Sequence, residues 1–157
     1  MNSKADAEDR LRLAKYHLEQ AIEEFEKEHY AQAIKESQLS MENSAKAAIS
    51  CAAHPAPTHS PGDELREVVN RFESKIPEEL KAELYNLADY SDEAAPLHVE
   101  MNYGRRVGGR LLLPSEFVTE EMSKELIKET KFCYRVAFNF YKLWFEKNEK
   151  GFHCDVN

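Results

Sequence analysis

The chain has 157 residues, a formal net charge of −8, 42% hydrophobic and 32% charged residues, the balance of one folded domain that buries a core without disulfide or metal staples. The acidic total argues against indiscriminate nucleic-acid binding, although a local basic stripe keeps its own field. The N-terminal "MNSKADAEDR" lacks the apolar stretch of a signal peptide and no apolar run reaches membrane-spanning length, so a soluble, cytoplasmic protein without membrane contact is expected. Cys51, Cys133 and Cys154 form no Cys-x-x-Cys pair, which leaves a disulfide framework and a zinc ribbon without support.

In chain order, "DAEDRLRLAKYHLEQAIEEFEKEHY" repeats Leu11, Ala14, Leu18, Ala21, Ile22 and Phe25 at three- and four-residue spacing, the pattern of an amphipathic helix. A second helix is expected over "AQAIKESQLSMENSAKAAISCAA", with Ile34, Met41, Ala45, Ala48 and Ala52 on one face, small enough for close approach to the first. Pro55, Pro57 and Pro61 then break the helix. Ser60, Pro61 and Asp63 have the form of an N-cap, a first-turn proline and a carboxylate at the positive end of a third helix, whose stripe is Leu65, Val68, Val69 and Phe72. Pro77 opens a fourth helix carrying Leu80, Leu84, Leu87 and Ala88, which Pro96 is expected either to kink or to end near Ala94. Residues 104–114 hold three of the five glycines without periodicity and predict a loop. A last helix is expected from Glu116 to Gly151, with Met122, Leu126, Cys133, Ala137, Phe140, Tyr141 and Trp144 on one face. No strand is expected, and the fold class is an all-α, up-and-down bundle of about five helices: one domain over 1–150 and a C-terminal tail over 151–157.

No Walker loop, Gly-x-Ser-x-Gly elbow or His-Glu-x-x-His occurs, which removes the common hydrolase arrangements. Cys51, His54 and His59 sketch part of a metal site but have no carboxylate at ligand spacing, and the lone Glu26-x-x-His29 lacks the second pair that a di-iron bundle needs, so neither metal nor cofactor is expected. "NYGRRVGGR" offers Arg105, Arg106 and Arg110 to an anion and Tyr103 to a base, against the plainer alternative of a solvated loop. On the last helix Lys124, Lys128, Lys131, Arg135 and Lys142 fall within an arc of about 60° with no acid interleaved, which offers a surface for phosphate, RNA or an acidic partner against the plainer alternative of a solvated face. The aromatic surplus of that helix, Phe132 to Phe145, points to a homodimer, with core filling as the alternative.

The run "AKYHLEQAIEEFEKEHYAQAIKESQLSMENSAKAAISCAAHPAPTHSPGDEL" resembles the first half of HEPN domains, a helical hairpin with Glu and Lys-Ala four residues on, then "tH", then a leucine-bearing helix. Those positions are Glu42, Lys46, Ala47, Thr58, His59 and Leu65. "EMNYGRRVGGRLLLPSEFVTEEMSKELIKET" is similar to the second half, with its Tyr-bearing helix end and Pro-Ser loop. The resemblance implies a helical bundle, often dimeric, among nucleotide-binding modules and RNA-cleaving toxins neutralised by a small nucleotidyltransferase. Its nucleases use an Arg and a His four to six residues apart. Here Asn102 stands before Tyr103, and no His follows Arg105, Arg106 or Arg110, so no catalytic residues are expected. Arg12 and His17 match the spacing in the wrong element. His98, with Arg105, is the remaining candidate for a base acting on a ribose hydroxyl. The expectation is a non-catalytic HEPN-like module that binds a nucleotide, RNA or protein partner through Tyr103, Arg105, Arg106, Arg110, Lys128, Lys131 and Arg135. Its alternatives are a toxin-type endoribonuclease and a purely structural docking protein.

Overall fold

The computed structural model describes residues 3–149. Four long helices, α1 (Ser3–Glu26), α2 (Tyr30–Ser50), α4 (Glu78–Tyr103) and α6 (Glu120–Glu149), are supplemented by the short α3 (Gly62–Arg71) and α5 (Pro114–Phe117) and by strands β1 (Arg105–Val107) and β2 (Arg110–Leu112). An all-α bundle is therefore the architecture, with one small hairpin attached. The end of the last helix at Gly151 and the tail 151–157 lie outside the described residues.

α2 is the centre. It packs against α1, α4 and α6, and every residue from Ser40 to Cys51 is buried. A single apolar face does not explain this; Ala45, Ala47 and Ala48, flanked by Ser44 and Ser50, keep the helix thin enough for neighbours on several sides. Ser40 satisfies its buried hydroxyl on the Ala14 carbonyl of α1 at 2.7 Å. α6 runs antiparallel to α1, since the Tyr141 hydroxyl donates to Glu8 near the start of α1 while Ile127 clusters with Ala21 near its end. Phe140 is fully buried, and Phe132, Trp144 and Phe145 pack on the core. Phe132 meets Tyr90, and Trp144 meets Phe72, edge-on at 5.7 and 5.0 Å. Most of the aromatic surplus is thus core, with Phe138 exposed.

Four local expectations need correction. The segment 104–114 is not an irregular loop: Arg105 pairs with Leu112, Arg106 with Leu111 and Val107 with Arg110 in an antiparallel register. Gly108 and Gly109, at φ 57° and 79°, make the two-residue turn that only such residues take without strain. α3 starts at Gly62 with Pro61 as its N-cap residue, not at Pro61 behind Ser60. The orphan amide of Gly62 is met from α4, by Asp92 Oδ1 at 3.1 Å, and Ser60 donates its hydroxyl to the same oxygen. Of the two outcomes expected at Pro96, an end near Ala94 is overturned: α4 is one helix through Pro96 to Tyr103, the proline lying on its exposed side. The last helix begins at Glu120 and not Glu116, because the separate turn α5 intervenes, with Pro114 at its first position and Glu116 reaching back to the Leu113 amide at 2.7 Å.

Candidate functional site

Gln38, Glu42 and Lys46 follow one another at four-residue intervals on α2 and share a face of the helix. They are only 2%, 7% and 6% exposed, so each needs partners. Glu42 Oε1 accepts from Lys46 Nζ at 2.8 Å, while Oε2 accepts from Gln38 Nε2 at 3.1 Å and from His59 Nδ1 at 3.0 Å. Burial by itself raises the Glu42 pKa, but the hydrogen bonds from Lys46, His59 and Gln38 together hold it below the ordinary carboxylate value. The carboxylate stays ionised, neutralised by an ammonium on the next turn.

Two imidazoles close the cluster. His59, on the loop between α2 and α3, and His98, on α4, stack with ring centroids 3.9 Å apart and planes 18° from parallel. The network settles their tautomers. A carboxylate only accepts, so the Gln38 atom facing Glu42 is its nitrogen and the amide oxygen faces His98 Nδ1 at 3.3 Å. His98 Nδ1 therefore carries a proton, as does His59 Nδ1 against Glu42, and in the neutral form of either ring the lone pair sits on Nε2. The His59 side chain is 61% exposed, which opens the cluster to solvent. A carboxylate holding Nδ1–H with Nε2 left basic is an arrangement able to accept a proton from a bound hydroxyl.

The sequence groups Glu42, Lys46 and His59 as positions of the family resemblance, and offers His98 only as a candidate base with Arg105, not as a neighbour of the other three. Instead Arg105 donates to Glu100 at 2.6 Å and lies over the Phe117 ring at 4.2 Å. Gln38 was missed altogether, and its only signal is the four-residue interval to Glu42 and Lys46. The other pieces of a sequence-level metal site do not converge. The Cys51 thiol is buried, which raises its pKa, and it rests on the Ala47 carbonyl, while His54 lines a separate recess with Asp6, Asp9 and Arg10. His29 pairs with Glu24, and His17 with Glu36.

The nominated cations divide into two groups. Arg105 is engaged as above, Arg110 pairs with Glu116 at 3.1 Å, and Arg135 reaches Glu83 of α4 at 3.3 Å while covering Phe132. Arg106, Lys124, Lys128 and Lys131 have no ion pair among the described residues. The three lysines line a groove of about 790 Å³ between α1 and α6, with Ile22, Phe25 and Ile127 as its apolar surface and Glu26, Glu121 and Glu125 around it. Its size lies in the range of small-molecule sites. The contribution of α1 was not anticipated, although Ile22 and Phe25 end its apolar stripe. Tyr103 is 75% exposed where α4 meets the hairpin, with Val107 and Leu113 also exposed beyond it.

The family model described as HEPN domain matches residues 7–139 of the chain. No curated protein matches it.

Proposed function

The chain belongs to the HEPN domain family, and from that premise we propose that it is a non-catalytic helical module that binds a nucleotide or a short RNA. The observation that carries this reading is the α1–α6 groove, where Lys124, Lys128 and Lys131, none of them ion-paired among the described residues, border the apolar Ile22, Phe25 and Ile127. Such a groove suits a base on the apolar surface and phosphate oxygens on the ammonium groups. α5 joins the hairpin to α6 through Val118 and Thr119, so Arg106 and Tyr103 extend the same end of the bundle. The test is titration with nucleotides and short RNAs at 50 and 200 mM salt. Affinity is expected to fall with salt, as phosphate contacts require, and to fall at least tenfold in Lys128→Glu/Lys131→Glu. Absence of binding, or binding indifferent to salt and to the double substitution, overturns the reading. The working unit of this proposal is a homodimer, and a small nucleotidyltransferase is its protein partner; sedimentation equilibrium and co-purification test these two points.

A second reading, endoribonuclease, is favoured by one observation, the stacking of His98 on His59, which is itself hydrogen-bonded to Glu42. His59 Nε2 would take a ribose hydroxyl proton, and His98 in its doubly protonated form would donate the Nε2 proton to the leaving oxygen. Cleavage of a fluorescent RNA that is abolished in both His59→Ala and His98→Ala supports it, and cleavage unchanged by either removes it.

A further inference from the structure

We propose that Glu42, His59 and His98 form a binding site for one first-row divalent transition metal ion, zinc being representative, held by Glu42 Oε2 and a ring nitrogen of each histidine. The three side chains come from α2, the α2–α3 loop and α4, and each places one ligand atom within 4.8 Å of the other two. Two neutral imidazoles and one carboxylate are the donors of zinc, cobalt and nickel rather than of magnesium or calcium.

The geometry is close to what such an ion needs. Two ligands on a tetrahedral ion with bonds of about 2.0 Å are roughly 3.3 Å apart, and Glu42 Oε2 already lies 3.0 Å from His59 Nδ1. The ion takes the place of the proton between them. That proton leaves Nδ1 and the ring is reprotonated from solvent at Nε2, so the imidazole stays neutral and one bond is exchanged for another. Two imidazoles bound to one ion at 90–109° have centroids roughly 4.6–5.2 Å apart, so the stack at 3.9 Å must open by about 1 Å. His59 sits on an exposed loop and supplies that movement.

Support for the ligands is built in. The Gln38 amide donates to Glu42 and accepts from His98, the kind of outer contact that orients metal ligands. Lys46 holds the other carboxylate oxygen, and its charge sets a limit, making the site weaker than a structural zinc centre. The exposure of His59 leaves the fourth position to water.

The proposal does not depend on nucleotide binding. Its test uses the full, untagged chain treated with a chelator, titrated with Zn²⁺ by calorimetry and with Co²⁺ by its visible d–d absorption. One ion per chain with micromolar affinity is expected, weakened at least tenfold in His59→Ala and in His98→Ala and unchanged in His54→Ala. Circular dichroism establishes that each variant is folded. Equal binding by a His59→Ala/His98→Ala double variant, loss in only one of the single variants, or no heat and no absorption change in the wild type overturns it.

Discussion

Two polar regions of this bundle use the same ingredients to opposite ends. Around Glu42, a carboxylate, an ammonium and an amide are drawn out of water, with two imidazoles on their solvent side; along the α1–α6 groove, three lysines and three glutamates face the solvent. Burial obliges Gln38, Glu42 and Lys46 to find partners within the chain, because an unpaired buried charge costs several kcal/mol. In the second region water is the partner, and the charges are free to meet a ligand. The difference predicts where substitution costs stability and where it costs binding.

The largest effect is expected from Glu42→Ala, which leaves the Lys46 ammonium buried without its acceptor. A loss of about 3–5 kcal/mol in chemical denaturation is expected, and the double change Glu42→Gln/Lys46→Met should recover much of it. A loss below about 1 kcal/mol would show that the cluster is hydrated and not held by burial. Asp92→Ala comes next, at about 1–2 kcal/mol, because it uncaps Gly62 and removes one of the three carboxylates around Arg66, the others being Asp63 and Asp89. A value near zero would mean that solvent caps α3 equally well.

A smaller effect depends on pH. The folded pKa of Glu42 lies below its ordinary value of 4.5, so its contribution to stability is complete above that value and is lost as the pH falls through the lower, folded pKa. The stability gap between wild type and Glu42→Gln should therefore narrow below pH 4.5 and stay constant above it, as read from urea midpoints. The smallest effect on stability belongs to the groove and hairpin. Lys128→Glu/Lys131→Glu and Arg106→Glu are expected to stay within about 0.5 kcal/mol of wild type while changing ligand affinity. A larger destabilisation would erase the contrast between the regions.

Long helices were legible because periodicity is a local property: Leu11, Ala14 and Ala21, or Leu84, Leu87 and Ala88, mark their buried faces without reference to the rest of the chain. α2 was only half legible. The sequence predicts one face, yet the helix is enclosed on several sides, since small residues permit neighbours without saying how many will come. β1 and β2 are three residues each, too short for alternation to register, and the signal available was the Gly108–Gly109 pair between Val107 and Arg110. The four named members of the polar cluster could be picked out individually, but the pairing of His59 with His98 is a tertiary event that no spacing encodes. The α3 cap was lost for the same reason: Asp92, far along the chain, does what Ser60 appeared placed to do.

That cap also sets a distance. Asp92 and His98 lie on one continuous helix, about 9 Å apart along its axis, and Asp92 fastens Ser60 and Gly62 immediately after His59, while Glu64 of α3 ties down the amide of Ala56 just before it. α4 thus works as a ruler, with one mark holding the loop and another carrying the second imidazole. Slackening the Asp92 mark, with no change at either ring, should let His59 drift from His98.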